Sequence, residues 1–104
     1  MQQLKLFEDV FDSLQKGKLT TIRKGRRSID LGELRLESVE TKRHEIVEVI
    51  TVYYTRLKQV NTEDLKNDGF RDHLDMWEQM KRFYPDIQLE DEVTVVKFKM
   101  KERC

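Results

Sequence analysis

Residues 44–57 read HEIVEVITVYYTRL, the longest β-prone run in the chain. Val, Ile, Thr and Tyr dominate it, and these residue types fit a pleated, half-buried surface. Between 46 and 54 the run is apolar on nearly both faces. A strand with one face in water alternates more cleanly, because successive side chains point to opposite sides. The run therefore predicts a strand in the middle of a closed or well-covered sheet. The remaining residues must supply its neighbours and the layers that cover it.

Those neighbours are legible. Leu4 and Leu6 alternate with polar residues and predict a short first strand. Phe7, Val10, Phe11 and Leu14 follow at helical spacing, and Gly17 is the expected C-cap, with Lys16 and Lys18 complementing the negative helix end. Thr20, Thr21 and Ile22 predict a strand over 19–23, and KGRRS a turn. DLGELRLESVE predicts a turn and then a strand with Leu34, Leu36 and Ser38 on one face. Asn61 or Thr62 caps a short helix that ends at Gly69. Phe70, Leu74, Trp77, Met80 and Tyr84 mark a second helix, with Asp72 as a candidate N-cap and Pro85 as its stop. EVTVVKFKM predicts a closing strand with Thr94, Val96, Phe98 and Met100 on one face. Strands outnumber helices and are mostly sequence neighbours. The expected architecture is α+β: a small, strongly curved, mostly antiparallel barrel with flanking helices, forming a single domain over 1–104.

Hydrophobic and charged residues each make up 38% of the chain, and nine aromatics argue against disorder. No apolar run approaches the roughly 20 residues of a membrane span, and the N-terminus lacks a signal-peptide core. The one cysteine is the last residue, Cys104, which points to a cytoplasmic protein without disulfides. His44 and His73 have no metal-spaced partners, so neither a metal nor a cofactor is expected. Nothing calls for an oligomer, and a monomer is expected.

Charge is unevenly spread. The chain carries 20 basic and 20 acidic residues, yet residues 16–27 hold six cations and no acid. Lys16, Lys18, Arg23, Lys24, Arg26 and Arg27 make that segment a positive loop on a mildly acidic body. Such a loop attracts phosphate or nucleic acid in a salt-dependent way. On a strand, Thr21 and Arg23 share one face and Thr20 and Ile22 the other. With Ile22 in the core, Thr21 and Arg23 are expected to meet a ligand. Tyr53, Tyr54 and Trp77 are candidate stacking platforms for a base. The acidic run LEDEV at 89–93 reads as a solvated turn.

The stretch LQKGKLTTIRKG resembles the signature of the ASCH domain family, a G-K-x-x-T-I-R core after an amphipathic helix. The later segments DLGELRLESVE, EIVEVITVYYTRL, LKNDGF and VTVVKFKM are similar to the family's successive elements, so the resemblance covers almost the whole chain. It implies a PUA-like fold and a cleft for RNA or nucleosides beside the signature. One branch of the family hydrolyses N(4)-acetylcytidine with a lysine, a threonine and a glutamate. The lysine matches Lys18 and the threonine Thr21, while Arg23 closes the motif. Near the glutamate's place the chain reads KNDGFRD, where Asp68 is the nearest acid and Asp72 the next. Amide hydrolysis by such a set needs a threonine nucleophile and a neutral lysine base, held below its usual pKa near 10.4 by burial or nearby cations.

The sequence thus predicts an RNA- or nucleoside-binding domain whose ligand meets Lys16, Arg23, Lys24, Arg26 and Arg27. The alternative is an amidohydrolase acting on acylated cytidine through Lys18, Thr21 and Asp68.

Overall fold

The computed structural model describes residues 1–16 and 19–100, without the side chains of residues 15 and 16. Among the described residues five strands build one sheet: β1 (Gln3–Leu6), β2 (Thr20–Lys24), β3 (Gly32–Ser38), β4 (His44–Arg56) and β5 (Glu92–Met100), in the order β1-β3-β4-β5-β2. Only the β1–β3 pairing is parallel. The sheet curls strongly into a half-barrel, the curved α+β architecture expected from the strand pattern.

The run that constrained the sequence reading is β4, and it does sit in the middle of the sheet. Its two-faced apolarity has a local cause. Val49 pairs with Phe98 and Thr51 with Lys97, so Ile50 is an extra, bulged residue and is 50% exposed. The bulge flips the face of every later residue. Val47 and Val49 before it, and Val52 after it, therefore pack into the same core. β5 runs between the two cores and is buried on both faces. Val96 and Phe98 join one core with Leu34, Leu36, Phe11 and Leu14, while Val93 and Val95 join a second with Leu57, Leu65, Met76 and Met80.

Each core has its own helical cover. The first lies under α1 (Glu8–Asp12) and a tighter 3-10 turn over Ser13–Lys16. Phe11 and Leu14 are buried at their expected spacing, although the predicted single helix is split. Its expected cap, Gly17, lies outside the described residues. The second core is covered by α2 (Thr62–Asn67) and α3 (His73–Met80). Asn61 caps α2 by accepting from the Glu63 N–H, and Gly69 follows it at φ +101°, a conformation that favours glycine. Asp72 caps α3 through the Asp75 N–H. The stripe of α3 differs from the one predicted: Leu74 is 60% exposed, whereas Met76 and Met80 are buried. The helix begins at His73, after its cap Asp72, so Phe70 belongs to the preceding connection and cannot set its phase. Among the described residues no helix is long and apolar enough to cross a membrane.

Candidate functional site

A half-barrel has two free edges, here β1 and β2. They approach closely enough for a side chain to cross between them: Arg23 Nη2 donates to the Lys5 carbonyl at 3.0 Å. A cavity of about 220 Å³ lies along this seam. Leu6 of β1 and Thr21, Ile22 and Arg23 of β2 form its sheet wall. Asp68 and Phe70, from the connection after α2, and Asp75 of α3 close a second side. Tyr84 and Phe83, beyond α3, complete an aromatic rim.

β2 departs from the one-core-face assumption. Thr21 lies opposite Val96 of the first core and Ile22 opposite Val95 of the second. Both faces of the strand are covered, and Thr20, Thr21 and Ile22 are all buried. Thr21 and Arg23 still share a cavity, because the curl leaves room where the β2 edge fails to meet β1.

Arg23 is shifted there from its ordinary titration. Burial pulls its guanidinium below the usual arginine pKa, the Tyr84 phenol opposes this, and positive Arg27 adds to the lowering. Its Nε is buried and meets no hydrogen-bond acceptor among the described residues. A buried donor in that state favours any ligand that brings an acceptor. Among the described residues no carboxylate forms an ion pair with Arg23.

Besides Asp9 of α1, two carboxylates line the same cavity. Asp68 was the acid expected from the sequence. Asp72, named with it, instead spends its carboxylate on the α3 N-terminus, at 2.8 Å from the Asp75 N–H. The second acid is Asp75, which the sequence reading missed. It stands three residues after the N-cap, where a side chain turns back toward the helix start. Its Oδ2 accepts from the Arg71 N–H at 3.0 Å, which fixes the carboxylate. The D-x-x-D spacing from Asp72 to Asp75 is the signal that could have found it.

The other predicted contacts separate into groups. Lys18 and the side chain of Lys16 lie outside the described residues. Lys24, Arg26 and Arg27 sit at and beyond the end of β2, beside the cavity rather than in its lining. Gly25, at φ +83°, turns the chain there. Buried Thr94 pins the turn from beneath: its hydroxyl donates to the Gly25 carbonyl at 2.7 Å and accepts from the Arg27 N–H at 2.8 Å. The Tyr54 hydroxyl donates to the Arg27 carbonyl at 2.9 Å, and the Arg26 guanidinium lies 3.9 Å over the Tyr54 ring. Arg27 Nη2 reaches the Tyr84 hydroxyl at 3.5 Å, which links the turn to the cavity rim.

The cations also have partners that the chain order hid. The pairing of β2 with β5 brings Asp91 to 3.9 Å from Lys24 and Glu92 to 3.4 Å from Arg26. The 89–93 run is thus a turn whose acids are engaged, not merely solvated. Glu90 pairs with Lys58 at 2.7 Å and Arg56 at 3.0 Å, and Lys58 first, then Arg56, holds its carboxyl below the usual range.

None of the three proposed stacking aromatics lines the cavity. Trp77 donates to the Ile87 carbonyl at 2.9 Å, with the Lys81 ammonium 3.9 Å over its ring. Tyr54 supports Arg26. Tyr53 donates to the buried carboxylate of Asp64, which also meets Lys97 at 3.1 Å. Burial first, and then Asp64, push the Tyr53 phenol well above its ordinary pKa. The aromatics at the cavity are Phe70, Phe83 and Tyr84 instead.

No protein-family model matches the sequence, and neither does any protein of curated function. Solved structures do resemble this one. An ASCH domain from Lactobacillus crispatus superposes with a TM-score of 0.71 at 13% identity, over 95% of this chain and 79% of that one. An ASCH protein from Zymomonas mobilis superposes with a TM-score of 0.67 at 8% identity, over 93% of this chain and 65% of that one. At such identities the likeness is one of fold, and the fold of this chain is that of an ASCH domain.

Proposed function

We propose that the seam cavity receives a nucleoside, free or as part of an RNA, with the 24–27 turn meeting its phosphates. One observation carries this reading: Thr21 and Arg23 of β2 meet Asp68, 45 residues beyond Arg23 in the chain, at one cavity in which a buried guanidinium Nε is unmatched. The volume is below the roughly 300–1,000 Å³ of sites for drug-sized ligands, which suits a base with part of its sugar. A base offers both acceptors for Arg23 and Thr21 and donors for Asp68 or Asp75, and its faces suit the aromatic rim. A phosphate leaving the cavity past Tyr84 meets Arg27, next to Arg26 and Lys24. The test is a titration with cytidine, cytidine 5′-monophosphate and short single-stranded RNAs over a range of salt. RNA binding weakens with salt, whereas binding of the uncharged nucleoside does not. Absence of binding to all three refutes the proposal.

A second reading is favoured by the company Thr21 keeps. A hydroxyl with two carboxylates at hand, Asp68 and Asp75, has the elements of acyl transfer from an N-acylated cytidine. Lys18 is the base that the ASCH resemblance implies. Incubation with N(4)-acetylcytidine, followed by chromatography, tests it. The expected products are cytidine and acetate, with release abolished in Lys18→Ala. No turnover by the wild type, or equal turnover by the variant, removes this reading.

A further inference from the structure

The cavity has one wall of a different kind. Its sheet side is built from buried residues, Leu6, Thr21 and Ile22. Phe7 and α1 meet the chain beyond α3 through side chains that reach solvent. The Phe7 and Phe83 rings stack with centroids 4.8 Å apart and 21° between planes. Arg82 holds both carboxylate oxygens of Asp9, at 3.0 and 3.4 Å. Its guanidinium carbon lies 5.4 Å from the Phe7 ring and 5.6 Å from that of Phe83. The Asp9 and Arg82 side chains are 62% and 44% exposed. Asp9, Arg82 and Phe83 all line the cavity, whereas Phe7 does not.

We infer that Phe7, Asp9, Arg82 and Phe83 form a clasp whose opening admits ligand to the seam cavity. This rests on the reading of that cavity as a ligand site. The seam side cannot serve as the door, because Arg23 spans it and the β-ladders behind it are continuous. The clasp joins two elements 73 residues apart through an exposed ion pair and a surface ring stack. Contacts of this kind are individually weak, and the ion pair loosens with salt, so an open form is readily reached. Phe7 is the N-cap of α1, so releasing its ring from Phe83 loosens the first turn while Phe11 stays anchored in the core. A gate of this kind changes how fast ligand enters and leaves, and leaves the closed site's affinity alone.

The test uses Phe7→Ala, which cannot touch a ligand in the cavity, and Arg82→Gln. Binding kinetics of cytidine and its 5′-monophosphate are read from NMR exchange line shapes. Both rate constants are expected to rise about two- to ten-fold in Phe7→Ala, the scale set by one lost aromatic pair, with Kd unchanged within about two-fold. Rates equal to wild type, or a changed Kd with an unchanged on-rate, overturn the clasp while leaving the binding proposal intact. A ligand-free arm measures amide exchange at Phe11, whose N–H donates to the Phe7 carbonyl at 2.8 Å. In Arg82→Gln its protection is expected to fall about two- to ten-fold while that of Leu65 in α2 holds. Should neither compound nor the short RNAs bind, the proposed function fails, and this arm decides the clasp alone. Unchanged exchange at Phe11 then overturns it, and selective loss of protection sustains it.

Discussion

Replacing Arg23 by Met separates what this residue does for the fold from what it does for a ligand. The substitution keeps an unbranched side chain of similar length in the seam. It removes the charged hydrogen bond to the Lys5 carbonyl, worth about 1.5–3 kcal/mol. It also removes a partly buried guanidinium that has no carboxylate partner among the described residues and an unmatched Nε. The effective cost of desolvating such an ion is several kcal/mol, and a hydrophobic replacement of similar volume is often neutral or stabilising. The two effects oppose each other, and because Arg23 is only half-buried the desolvation cost offsets the lost bond rather than dwarfing it. Unfolding stability is therefore expected to stay level or rise by about 1–2 kcal/mol. For a domain of this size that is a Tm gain of up to roughly 10 °C. Ligand affinity moves the other way. Losing a charged donor to the ligand costs about 1.5–3 kcal/mol, a roughly 10- to 150-fold weaker Kd for cytidine 5′-monophosphate. Thermal unfolding and a binding titration on the same sample decide the matter. A Tm drop of more than about 8 °C, over 1 kcal/mol at this size, would show that Arg23 is a structural strut. Unchanged affinity would remove it from the site.

Three further outcomes follow from the same contacts. Thr94→Val leaves the Gly25 carbonyl and Arg27 N–H without their buried partner, so urea unfolding should show a loss of about 1–3 kcal/mol; an unchanged midpoint refutes the pinning of the basic turn. Burial and Asp64 raise the Tyr53 pKa in the fold above the roughly 10 of an unfolded chain. The native state holds that proton more tightly, so the contribution is intact below about pH 10 and lost as pH rises through the folded value. Urea unfolding at about pH 9 and pH 11 should therefore show an alkaline loss in the wild type that is smaller in Tyr53→Phe; equal losses refute it. On the hydrolase reading, Asp75→Asn keeps the acceptor for the Arg71 N–H but removes the acid, and turnover of N(4)-acetylcytidine should fall by about 100-fold or more. Turnover equal to the wild type would exclude Asp75 from that chemistry.

Much of the fold could be read before any coordinates because the signals are local. The period-2 patterns of β3 and β5 report which side chains share a core, and the structure buries Leu34, Leu36, Val96 and Phe98 together. The cap of α2 needs only Asn61 and the amide of Glu63 two residues on. Leu74 was misassigned because helix phase depends on where the helix starts, and Phe70 lies outside it. Ile50 misled in a similar way: an apolar residue at a bulge looks like a second buried face until the β4–β5 register is known.

The sequence by itself determined the cation-rich segment, the alternation of its threonines, and the strand and helix types around it. These depend on side-chain chemistry and on neighbours a few residues away. Only the tertiary structure decided what those groups face. The β2–β5 pairing supplies Asp91 and Glu92 to Lys24 and Arg26, which no count along residues 16–27 contains. The curl of the sheet brings its two edges to a seam, and Asp75 enters the cavity there while Asp72 is spent on a helix end. A site made where two sheet edges nearly meet depends on how far the sheet curls, a property of all five strands and both cores together.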